Sequence, residues 1–172
     1  MKELLKTISE KAIELEDFAY SEEQVQNKWL GTIPITEIEL DSIEKRLGLQ
    51  LPKDYIDFLK ITNGFSAANL VEPTFEPFWK IDFLKEVDSF IIKVWNEDGL
   101  TEIGKNLERS IVVGGIEEEQ YFLLIPPEKA NEDWKYWKFS SWLPGEEEFK
   151  TLQDYFEKVL EFTLDELEHK LN

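Results

Sequence analysis

Residues 47–64 read LGLQLPKDYIDFLKITNG, a short amphipathic stretch enclosed by Leu51-Pro52 and Asn63-Gly64. Proline suits the first turn of a helix, where its missing N–H has no partner to lose, and Asn-Gly tolerates the positive φ that ends one. Tyr55, Phe58 and Leu59 then share one face of a compact helix. Just upstream, Thr36 and Glu39 stand at capping-box spacing, Leu40, Ile43 and Leu47 form an apolar stripe, and Gly48 is free to close that helix in the left-handed conformation. The stretch therefore predicts two helices meeting at a corner.

Outward from this corner, Leu5, Ile8, Ala12 and Leu15 recur at helical spacing over residues 3–18, and residues 20–32 lose that period, as a connector would. After a loop holding Pro73 and Pro77, FWKI (78–81) predicts a short strand. Asp82 is expected to cap a further helix, with Phe83, Leu84, Val87, Phe90, Ile91 and Val94 on one face. SIVVGG (110–115), QYFLLIP (120–126) and WKYWKF (134–139) read as strands. Thr151 and Asp154 are spaced to cap a last helix whose stripe is Leu152, Tyr155, Phe156, Val159, Leu160, Leu164, Leu167 and Leu171. Helices first, strands next and a helix last predict an α+β fold: an antiparallel sheet packed with N-terminal helices and a long C-terminal helix. A chain of 172 residues suits one domain, 1–172, with 1–32 as an N-terminal extension helix and connector.

The balance of 37 acidic against 19 basic residues gives a formal net charge of -18. Such a field repels nucleic-acid phosphates and anionic lipid and speeds encounter with a basic partner, although solubility alone is also served by it. No apolar run approaches the ~18 residues of a membrane span, and the acid-rich N-terminus lacks the apolar core of a signal peptide. A cytoplasmic location is expected. The absence of cysteine excludes disulfides, thiolate nucleophiles and cysteine metal sites.

No residue pattern calls for catalysis, a cofactor or a metal. The single histidine, His169, stands three residues from the C-terminus on an exposed turn and reads as a solvated or helix-end residue, where a cation is favoured, and not as a general base. The paired glycines of VVGGIEE lack GxGxxG spacing and a following helix, so they read as a turn. The densest acidic runs are Glu117, Glu118, Glu119 and Glu146, Glu147, Glu148. Each is either a solvated loop or a partner surface. Trp134, Tyr136, Trp137 and Phe139 alternate faces along one strand, and Trp142 follows it. Carboxylates steer and large rings anchor, so Glu117, Glu118, Glu119, Trp137 and Trp142 are the candidate partner-binding residues, with core packing as the competing use of the rings.

The spacing Leu40-x-x-Ile43-Glu44-x-x-Leu47-Gly48-x-x-Leu51-Pro52-x-x-Tyr55-x-x-Phe58-Leu59-x-x-x-Asn63-Gly64 resembles the signature of the SUKH superfamily. That superfamily includes fungal cell-wall synthesis regulators of the Smi/Knr type and many bacterial immunity proteins. Ser110 to Gly115, Tyr121 to Ile125 and Phe149-x-x-Leu152-x-x-Tyr155-Phe156 are similar to its later strands and final helix, whereas the first helix and 83–107 match weakly. The resemblance implies a sheet covered by helices and gives Leu51, Pro52, Asn63 and Gly64 an architectural role. For function it implies a non-enzymatic immunity protein that neutralises a cognate protein toxin, or alternatively a regulatory interaction module. The acidic charge favours a basic, nuclease-like toxin.

Overall fold

The first helix, α1 (Lys2–Leu15), buries Leu5, Ile8, Ala12 and Leu15 and ends at Glu16 in the left-handed region. Within the expected connector a six-residue helix, α2 (Glu22–Asn27), is opened by a capping box of Ser21 and Gln24. α3 (Glu37–Leu47) starts as its sequence predicts: the Thr36 hydroxyl accepts the Glu39 N–H, and the Glu39 carboxylate accepts the Thr36 N–H. Gly48, at φ 70°, closes α3, and Pro52 precedes α4 (Lys53–Leu59). Between them the Glu44 carboxylate accepts the Leu51 N–H at 2.9 Å, so a side chain pins the corner as well. The computed structural model describes residues 1–97, 100–129, 131–142 and 145–171.

The middle of the chain departs from its reading. Residues 78–80, expected within a strand, form a turn in which the Lys80 N–H donates to the Pro77 carbonyl. The strand is β1 (Asp82–Phe83), and the Asp82 carboxylate accepts the Phe83 N–H instead of starting a long helix. Two helices follow, α5 (Leu84–Val87) and α6 (Ser89–Glu97), because Asp88 interrupts the run and caps α6 by accepting the Ile91 N–H. That restart turns the apolar face: Ile91, Ile92 and Trp95 are buried, and Phe90 is 73% exposed. α7 (Thr101–Arg109) has no counterpart among the elements that the sequence predicts.

The sheet continues with β2 (Ile111–Gly114), β3 (Gln120–Ile125), β4 (Lys135–Ser140) and β5 (Glu146–Phe149), and α8 (Leu152–Leu171) closes the fold. The five strands pair antiparallel in sequence order. β5 is the acidic run 146–148, a poor strand former by composition that pairing with β4 nevertheless orders. Alternation along the strands sends Phe122, Leu124, Tyr136 and Phe149 toward α1, α3, α4 and α8. Val112, Leu123, Ile125, Trp137 and Phe139 face the other way, onto Leu84, Ile91, Ile92, Trp95 and Leu107 of α5 to α7. Both faces are covered, and so β2 and β3 read as unbroken apolar runs. On α8, Leu152, Tyr155, Phe156, Val159 and Leu167 are buried, but Leu164 is exposed and Thr163 takes the inward place. Thr163 donates to the Val159 carbonyl and accepts from the Asn69 amide, which makes a polar residue tolerable there. The side chain of Leu171 lies outside the described residues.

Candidate functional site

Glu117, Glu118 and Glu119 occupy the turn between β2 and β3 and are exposed. Gly115, at φ 77°, permits the turn, since a Cβ there would lie 1.8 Å from the Gln120 carbonyl oxygen. The Glu118 carboxylate accepts the Thr74 N–H at 3.0 Å, which fixes the turn against the preceding loop. Glu117 and Glu119 form no ion pair with the described residues.

Beside this turn lies a cleft of about 270 Å³ lined by Phe18, Leu70, Val71, Glu72, Glu118 and Glu119, among others. Leu70 is 71% exposed at its rim. Glu72 is nearly buried and accepts from the Lys138 ammonium and the Tyr155 hydroxyl, each at 2.8 Å. Burial pushes its carboxyl above the ordinary range, and the charge and hydrogen bond of Lys138, with the Tyr155 hydroxyl, pull it back. Burial and the Glu72 charge in turn push the Tyr155 phenol far up.

The two tryptophans separate. Trp142 is half-exposed in the connection after β4, and the register Gln120 to Ser140 puts that connection at the same sheet end as Glu119. Trp137 is 4% exposed in the core beneath α5 to α7, and its indole N–H donates to Glu148 at 2.8 Å. A partner cannot reach that ring while the fold is intact. The other acidic run is largely engaged within the molecule, Glu147 by Lys158 and Glu148 by Lys135 and Trp137.

A second surface feature escaped the sequence. A groove of about 590 Å³ is lined by Ile33, Pro34, Glu39, Phe65, Phe75, Glu76, Pro77 and Trp79, with Asn63, Gly64 and Thr74 between them. Ile33 is 84% and Trp79 63% exposed. Asn63 holds both walls: its N–H donates to the Ile33 carbonyl, its carbonyl accepts the Thr32 hydroxyl, and its side-chain oxygen accepts the Phe78 N–H at 2.8 Å. Ile33 stands in a segment without regular period and Trp79 in a run that reads as a strand, and neither pattern brings the two together.

His169 is exposed, with Glu166 at 3.9 Å. Among the described residues no group of three or more His, Asp or Glu side chains is placed to hold a metal, and no helix is long and apolar enough to cross a membrane. Comparison with curated proteins gives no match. The profile of the SMI1 / KNR4 family (SUKH-1) matches residues 34–162, from the loop before α3 to the middle of α8. The match leaves α1 and the end of α8 outside, and these two helices pack on one another. With three quarters of its length covered in this way, the chain belongs to the SMI1 / KNR4 family (SUKH-1).

Proposed function

We propose that the chain is a non-enzymatic binding protein of the cytoplasm that neutralises a cognate basic protein toxin by covering its working surface. The observation that carries this reading is the β2–β3 turn, where Glu117 and Glu119 stay unpaired beside the exposed Phe18, Leu70 and Val71. Charges without internal partners are free to meet a partner's cations, and the apolar rim gives them something to bury. A nuclease toxin must attract phosphate and is therefore basic, so an acidic inhibitor meets it quickly. Trp142 belongs to the proposed surface by its place at the same sheet end, and Trp137 acts from within by packing.

The test is association with the product of the adjacent reading frame, measured by stopped flow. Raising salt from ~0.05 to ~0.5 M should slow association about tenfold or more and change dissociation little. Replacing Glu117, Glu118 and Glu119 by Gln should slow it likewise, while the amide introduced by Glu118→Gln keeps an oxygen for the Thr74 N–H. Association indifferent to both changes would remove the turn from the interface. A partner with no toxic activity would favour the regulatory role found in the same family.

A further inference from the structure

The geometry points to the groove between Ile33 and Trp79 as a docking site for a segment of a partner protein that carries an aliphatic or aromatic side chain flanked by Lys or Arg. Three observations lead there. Ile33 and Ile38 are the two most exposed large apolar side chains among the described residues, and Ile38 lies in the first turn of α3, whose Thr36 and Glu39 line the groove. Water around these chains is released only if something covers them.

The groove is also preformed. Asn63 joins its two walls, and Gly64, at φ 104°, lets its floor approach the Phe75 carbonyl, where a Cβ would stand at 3.1 Å. Little ordering entropy would then be lost when it fills. Phe65 and Phe75 exchange both of their backbone hydrogen bonds, at 3.0 and 2.8 Å, and Pro34 and Pro77 offer no N–H. Recognition therefore rests on side-chain burial and charge, not on adding a strand.

Charge selects the occupant. Among the described residues the ionisable groups lining the groove are Glu39 and Glu76, with no cation beside them in the lining. Glu76 is buried and paired with the exposed Lys80 ammonium at 3.1 Å, while Glu39, which accepts the Thr36 N–H and hydroxyl, meets no cation among the described residues. A second copy would bring another net charge of -18 onto this face, whereas a Lys- or Arg-flanked segment is attracted.

The inference rests on the chain being a partner-binding protein but not on the acidic turn, and its test reads the groove alone. Short synthetic peptides with a central Leu or Phe between Lys residues are titrated against the full chain, beside matched peptides with Glu. Binding is read by tryptophan emission and by the backbone amide shifts of Ile33, Asn63, Gly64 and Trp79. The Lys peptides should bind with a blue shift that Trp79→Phe alters, the Glu peptides should not, and Ile33→Ser and Trp79→Ser should each weaken binding about tenfold or more. Both substitutions are at exposed positions, and unchanged thermal unfolding confirms that the variants fold. Equal binding of Lys and Glu peptides, unchanged affinity in both Ser variants, or no binding at about 1 mM peptide would overturn the proposal. A dimer in sedimentation that Ile33→Ser abolishes would overturn it in favour of a second copy. Loss of toxin steering in the triple Gln variant leaves these outcomes unaffected, so the two readings fail separately.

Discussion

Glu72 is a carboxylate with 8% of its side chain exposed, and burial raises its pKa more than Lys138 and the Tyr155 hydroxyl lower it. A raised acid favours the fold in its protonated form, so this contribution is full below the unfolded value, near 4.5, and is lost as pH rises through the folded value. Glu72→Gln should therefore gain stability relative to the unsubstituted protein as pH is raised from about 4 to 7, followed by urea unfolding. A difference that moves the other way would show that Lys138 holds the charge more strongly than burial opposes it. Little of this residue's setting was legible, because Glu72 and Tyr155 are 83 positions apart. Asn63 was half legible: its place after a helix marks a stop, but its grip on Phe78 depends on a loop that returns 15 residues later.

Elements carry the next predictions. The first turn of α8 is capped twice, locally by the Thr151 hydroxyl, which accepts the Asp154 N–H, and across the molecule by Asp54, whose carboxylate accepts the Leu152 N–H at 3.0 Å. The Tyr136 hydroxyl donates to the same carboxylate, so Asp54 joins α4, β4 and α8. Asp54→Ala should cost about 2 kcal/mol in chemical denaturation. A loss under about 0.5 kcal/mol would show that Thr151 suffices. In α1, Ile8 is fully buried, as is Leu59 in α4. Ile8→Ala and Leu59→Ala should each cost about 2 to 5 kcal/mol in urea unfolding. A much smaller loss for Ile8 alone would make α1 an appendage to the family fold and not part of its core. Period and caps made α1, α3, α4 and α8 legible. β5 was not, because three glutamates carry no strand preference and only pairing with β4 imposes one.

Across the whole molecule, ion pairs and net charge act in opposite senses. Most ion pairs among the described residues are exposed, and such pairs contribute about 0 to 1 kcal/mol each. A net charge of -18 repels itself throughout the compact state. Repulsion should dominate, so raising salt from about 0.02 to 0.5 M should raise the melting temperature by about 2 to 4 °C or more, measured by calorimetry. A fall would mean that the pairs dominate. By itself the sequence determined the helix starts and stops of the corner, the three apolar strands, the C-terminal helix and the charge, because backbone preferences, side-chain period and ionisation are properties of neighbours in the chain. Only the tertiary structure decided that Trp137 is core, that Glu72 is buried beside Lys138, and that Ile33 and Trp79 face a common groove. Each of these depends on hydrogen bonds or packing between segments distant in sequence, which local preferences do not encode.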